Sequence, residues 1–193
     1  MKKILFIGLS ILLIGCKNPS STSEKLNVVT TTTMITDLVK NIGGDAIEIN
    51  GLMGAGVDPH LFKASEGDVS KLYHADVIFY NGLHLEGKLV EVFEKMESQQ
   101  KKTIALGEQL DKNGLIGSEY FASNYDPHVW FNIQYFKEFA NTVTEVLSEA
   151  DPKNSELFVA NNNLFQKKLT DLETEVKDII ETLPQEKRIL VTA

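Results

Sequence analysis

Strand-like and helix-like segments alternate along this chain with short links between them, and that rhythm most limits the fold it can adopt. Leu26 to Thr31 is a β-branched run that predicts a first strand. Ile35, Leu38, Val39 and Ile42 then recur at helix spacing, with Thr33 or Thr36 placed to cap the helix and Gly43-Gly44 to stop it. Ala46 to Leu52 alternates as a second strand. Ser65, with Asp68 three residues on, has the form of a capping box opening a helix through Tyr73. Val77 to Tyr80 predicts a third strand, Glu86 to Met96 a helix, and Thr103 to Leu106 a short fourth strand. Gly107 to Tyr125 reads as loop, and Asn132 to Ala150 as a helix with Phe136, Ala140, Val143 and Leu147 on one stripe. Such alternation is the pattern of an α/β fold, a parallel sheet with helices on its faces. In these sheets ligands sit outside the carboxyl ends of the strands.

Asp151-Pro152 starts a much longer helix, with proline where a helix tolerates it best. Phe165, Leu169, Leu172, Val176, Ile179 and Leu183 step by four and three along it, and Pro184 ends it. From Pro152 to Leu183 it would run to ~48 Å at 1.5 Å per residue, which is more than one small lobe needs. A helix of that length reads as a coiled-coil arm or as a strut tying two lobes together. Arg188 to Ala193 then predicts a fresh strand with no helix to cover it, the start of a truncated lobe.

The tripeptide Asp-Pro-His occurs twice, at Asp58-Pro59-His60 and Asp126-Pro127-His128, and takes two of the four histidines and two of the five prolines. Proline fixes its own φ and restricts the residue before it, so each imidazole leaves a stiff stem. An imidazole held in place makes a good metal ligand. Both tripeptides follow predicted strands, so both can lie at one sheet edge although 68 positions separate them.

At the amino end, Lys2 and Lys3 precede a short apolar stretch, Ile4 to Ile14, too short for a permanent membrane helix. Leu13-Ile14-Gly15-Cys16 resembles the lipobox of bacterial lipoproteins, in which the signal is cut before a cysteine that is then diacylated. Cys16 is the only cysteine, so no intrachain disulfide can form. Asn18 to Lys25 is rich in Ser, Thr and Asn and reads as a tether. Removing Lys2 and Lys3 would take the formal charge from −8 to −10. An acidic surface argues against nucleic acid as a partner.

The chain resembles the metal-binding solute receptors of bacterial zinc and manganese ABC importers, the family-nine solute-binding lipoproteins, also called adhesin lipoproteins. Val29-Thr30-Thr31, the Asp58-Pro59-His60 loop, His74 to Ile78, Asn81-Gly82-Leu83-His84-Leu85-Glu86, Asp126 to Trp130 and Val191-Thr192-Ala193 carry the likeness. The resemblance implies two α/β lobes joined by one long helix, with zinc or manganese bound in the cleft as transported substrate. It implies that His60 and His128 are the two first-lobe ligands, and that the third and fourth fall after Ala193. The expected organisation is a signal over 1–15, a tether over 16–25 and a metal-binding lobe over 26–150. An inter-lobe helix over 151–184 and the first strand of an incomplete lobe over 185–193 complete it. The implied partners are an ABC permease and, through lipid on Cys16, the membrane. The protein would be exported, outward-facing or periplasmic, and monomeric in full-length form.

The other residues rank lower. His74 reads as solvated, and His84 as an auxiliary ligand at most. Asp58 and Asp126 read as turn-formers first and as supports behind a metal ligand second, and Trp130 and Phe131 as core. No His-Glu-x-x-His motif or Ser/His/Asp order appears, which argues against an enzyme. An adhesin of the same family is the alternative, and a siderophore receptor would want a basic cleft. No His-rich acidic loop interrupts the chain, so zinc and manganese stand equal.

Overall fold

The computed structural model describes residues 25–189. Strands β1 (Leu26–Thr30), β2 (Ile47–Gly51), β3 (Val77–Tyr80) and β4 (Lys102–Ala105) pair in the order β2-β1-β3-β4, every pair parallel. Helices α1 (Thr33–Gly43), α2 (Glu66–His74) and α3 (Val90–Ser98) connect them, and α4 (Ile133–Ala150) and α5 (Ser155–Glu181) follow β4. The order runs outward both ways from β1, so a switch point lies between β1 and β3, where such sheets open a crevice at their carboxyl edge.

Successive strand residues face opposite sides. Val28, Val77 and Phe79 join a core with Leu38 and Ile42 of α1, Phe139 and Leu147 of α4 and Phe158 of α5. Val29 and Ile78 face the other way, onto Leu72 of α2 and Phe93 and Met96 of α3. Both faces of the central strands β1 and β3 are covered, which is why their buried stretches are apolar runs and not alternating ones. Each such side chain, fully buried, contributes roughly 1.5–3 kcal/mol.

Local chemistry sets most of the helix ends. The Ser65 capping box forms, Ser65 Oγ accepting from the Asp68 N–H and the Asp68 carboxylate accepting from the Ser65 N–H. Thr32 caps α1 in place of Thr33 or Thr36, its side chain accepting from the Ile35 N–H at 3.4 Å. Thr36 lies a turn inside the helix and gives its hydroxyl to the Thr32 carbonyl at 2.8 Å. Gly44, at φ 53°, ends α1, and Asn161 of α5 donates to the Ile42 carbonyl there at 2.8 Å.

The helix expected from Glu86 begins only at Val90. Gly82, Leu83 and His84 all take positive φ, at 77°, 50° and 62°, so the chain leaves β3 through a left-handed turn. Glu86 is turned inward beneath that turn and has no place on a helix surface.

The segment expected as one long helix is a single 3-10 turn, Pro152–Asn154, followed by α5, about 40 Å long at 1.5 Å per residue. Its first half is anchored by Phe158, Phe165 and Leu169, and Glu173 receives Gln134, Lys137 and Lys177 at 2.7, 3.4 and 2.9 Å. Beyond them Leu172, Val176, Ile179, Ile180 and Leu183 are exposed. Gln185–Lys187 form a 3-10 turn, and Arg188 and Ile189 are irregular, so no strand forms in the described part of 185–193. Residues 190–193, the signal segment, Cys16 and residues 18–24 of the tether lie outside the described residues. No helix among the described residues is long and apolar enough to cross a membrane.

Candidate metal centre

The chain after β2 is lashed to the end of β1: Leu52 and Met53 donate their N–H groups to the Thr30 and Thr31 carbonyls at 2.9 and 3.0 Å. The loop then reaches Asp58, whose Oδ1 accepts the His60 backbone N–H at 2.8 Å. Asp126 makes the same turn, accepting the His128 N–H at 2.9 Å, and its Oδ1 also takes the His128 ring Nδ1–H at 2.7 Å. Partial burial works against the Asp126 anion, but the two donors from His128 outweigh it and hold the carboxyl below its ordinary range. A carboxylate only accepts, so the Nδ1 of His128 carries the proton and its Nε2 bears the lone pair.

The two turns meet. His60 Nε2 and His128 Nε2 are 3.3 Å apart, and the rings stand edge to face with centroids 5.4 Å apart. Two ligands ~2.05 Å from one tetrahedral zinc would have nitrogens ~3.3 Å apart, so the spacing suits a shared ion. Among the described residues no group of three or more His, Cys, Asp or Glu side chains is placed to hold one. Trp130 and Phe131 are not core residues. Trp130 meets the His128 ring edge-on at 5.3 Å, and Phe131 is 79% exposed.

A buried polar floor supports the site. Glu86, 2% exposed, accepts from the Thr31 hydroxyl at 2.6 Å and from the Asn81 and Gly82 N–H groups at 2.8 and 3.2 Å. Burial raises its pKa, against the pull of those hydrogen bonds. Asn81, also buried, donates Nδ2 to the Pro127 carbonyl at 2.9 Å. Thr31, Glu86 and Asn81 thus join the ends of β1 and β3 to the turn that presents His128.

A paired-histidine edge on this sheet can be compared with known proteins. Residues 28–193 match the ZnuA family, described as zinc-uptake complex component A, periplasmic. The chain belongs to the ZnuA family. It is 39% identical over 196 residues to the manganese-binding lipoprotein MntA of Bacillus subtilis (strain 168), covering 100% of this chain and 63% of the relative. It is 39% identical over 179 residues to the zinc-binding protein TroA of Treponema pallidum (strain Nichols), covering 93% and 57%. The solved structure of the Treponema pallidum periplasmic zinc-binding protein TroA superposes with a TM-score of 0.82 at 40% identity, over 88% of this chain and 60% of that one. The chain therefore spans about six-tenths of the length of these relatives.

Of the other two histidines of this ZnuA-family chain, one lies beside the pair and one at the opposite edge of the sheet. His84, exposed on the left-handed turn, shares with His60 the wall of a cavity of about 210 Å³ that Leu85, Gly87 and Lys88 complete. His74 is exposed, its Nδ1 2.7 Å from the Ser70 carbonyl. It lines a cavity of about 570 Å³, among Leu26, Asn27 and Asp76 at the amino ends of the strands, the edge opposite the histidine pair. The sequence pattern puts Glu86 on a helix, offers Asn81 only as part of the motif that carries the family likeness, and gives Phe121 no role. The signal for Glu86 is an acidic residue four positions beyond an Asn-Gly pair, since such a turn leaves N–H groups that need an acceptor.

Proposed function

We propose that this protein is the extracytoplasmic substrate-binding component of an ABC importer for a divalent transition metal, zinc or manganese, with His60 and His128 as two of the ligands. The observation that carries the reading is the 3.3 Å approach of the two Nε2 atoms, with Asp126 fixing the lone pair of one toward the other. Neutral imidazole suits zinc, manganese takes oxygen ligands more readily, and two nitrogens are half the donors of a tetrahedral zinc site. The ion is cargo: it binds at the carboxyl edge and is handed to a permease, and no bond in a substrate is made or broken. The relatives are named as binding lipoproteins and transporter components, which supports that role. Cys16 would be the acylated first residue of the exported chain, holding it at the membrane through buried methylenes.

Calorimetric titration of the chain with zinc and with manganese tests the reading. The expected result is weak binding by the wild type, from two imidazoles alone, that His60→Ala and His128→Ala each abolish. Equal binding by both variants would defeat it.

A further inference from the structure

We propose that Phe121 is a positioning residue of the histidine pair, walling both imidazoles and holding them so that their Nε2 atoms converge; this rests on reading His60 and His128 as metal ligands. The Phe121 ring lies nearly parallel to that of His60, centroids 6.2 Å apart and planes 17° apart. It meets the His128 ring edge-on, at 5.7 Å and 68°. Both are arrangements that aromatic quadrupoles favour. The two histidines differ in how they are braced. The Asp126 carboxylate takes both the backbone and the ring N–H of His128, whereas the Asp58 carboxylate takes the His60 backbone N–H. Phe121 therefore supplies for His60 the ring support that Asp126 supplies for His128.

The backbone that delivers Phe121 is pinned on both sides. Gly117 and Tyr125 form an antiparallel bridge, and the Asp126 N–H donates to the Ile116 carbonyl at 2.9 Å. Within the loop, the Ser118 N–H donates to the Asn124 carbonyl and the Asn124 N–H to the Phe121 carbonyl, both at 2.9 Å. Asn124 sits at φ 63°, a conformation asparagine tolerates. A phenyl ring has only two side-chain torsions, so a pinned backbone largely decides where the ring goes. The wall keeps water from one side of the pair and limits imidazole rotation before an ion arrives. Less order is then lost on binding.

Zinc and cobalt(II) titrations of the full chain, comparing wild type with Phe121→Leu, Phe121→Trp and His128→Ala, test the proposal. Phe121→Leu keeps apolar bulk without a ring, and should bind zinc about tenfold more weakly with an altered cobalt(II) visible spectrum. Phe121→Trp should restore both. If Phe121→Leu matches the wild type in affinity and spectrum while His128→Ala fails to bind, the metal reading stands and the role of Phe121 is overturned. If His128→Ala binds like the wild type, the metal reading falls and the proposal with it. A metal-free readout is independent of any variant. The carbon-bound His60 ring protons of the wild type should resonate upfield under the Phe121 ring current, and random-coil positions would refute the stacking.

Discussion

Asp58 and Asp126 stand at the same place in the same tripeptide, yet the ring N–H of a histidine goes to Asp126. The consequence is measurable. Asp126→Asn keeps an oxygen for the turn but loses the anion that fixes the His128 tautomer, and should weaken zinc binding by about 10- to 100-fold. Asp58→Asn, which preserves a turn cap, should change affinity far less; equal losses in competition titrations would contradict the asymmetry. Glu86 offers a second test. Its pKa is raised chiefly by burial from an ordinary value of 4.5. Above 4.5 the unfolded chain releases this proton while the folded one keeps it, so the contribution to stability is full at lower pH. It is lost as pH rises through the folded pKa. Denaturant midpoints taken between pH 4 and pH 8 should show that decline in the wild type and a flatter profile in Glu86→Gln. Glu86→Ala, which strands three buried donors, should cost roughly 3 kcal/mol at low pH and less as pH rises through the folded pKa.

At the scale of elements, the departure from expectation is concentrated between β3 and α3. Apolar spacing at Leu89, Val90 and Phe93 is helical, and periodicity alone extends that helix back to Glu86. Three successive residues with positive φ override it, because Leu83 gains burial and Glu86 gains donors only in the left-handed turn. Gly82 is the residue that permits the turn. A Cβ there would strain the backbone and meet the Ala105 Cβ at 3.0 Å. Gly82→Ala should therefore destabilise by about 1–2 kcal/mol, whereas His84→Gly, which relieves an L-residue held in the same region, should change stability by less than about 1 kcal/mol. Thermal melts of the two variants decide the point, and a neutral Gly82→Ala would show that the turn relaxes without loss.

Across the whole molecule, α5 divides into an anchored half and a bare one. Phe158 and Phe165 are buried against α1 and α4, so Phe158→Ala should cost about 3–5 kcal/mol. Leu172, Val176 and Ile179 are exposed, and changing all three to Gln should leave unfolding of the monomer within about 0.5 kcal/mol per residue. Apolar residues exposed together in this way favour association. Sedimentation should accordingly show concentration-dependent self-association of the wild type that the triple variant reduces. A variant that unfolds as readily as Phe158→Ala would mean that the stripe is packed.

The parallel α/β class, the capping box at Ser65, the long helix after Asp151-Pro152 and the two Asp-Pro-His turns were legible in the sequence, because each depends on residues within a few positions of one another. Apolar periodicity, a cap three residues from its partner and a proline-stiffened stem are local physics, and tertiary packing here agreed with them. Tertiary structure alone decided that Nε2 atoms 68 positions apart would lie 3.3 Å from each other, and that Asp126 and not Asp58 would brace a ring. It also turned Glu86 inward under Asn81 and set Phe121 against both imidazoles. Those outcomes depend on which strand lies beside which and on how two long loops share the space above the switch point, and no window of neighbouring residues carries that information.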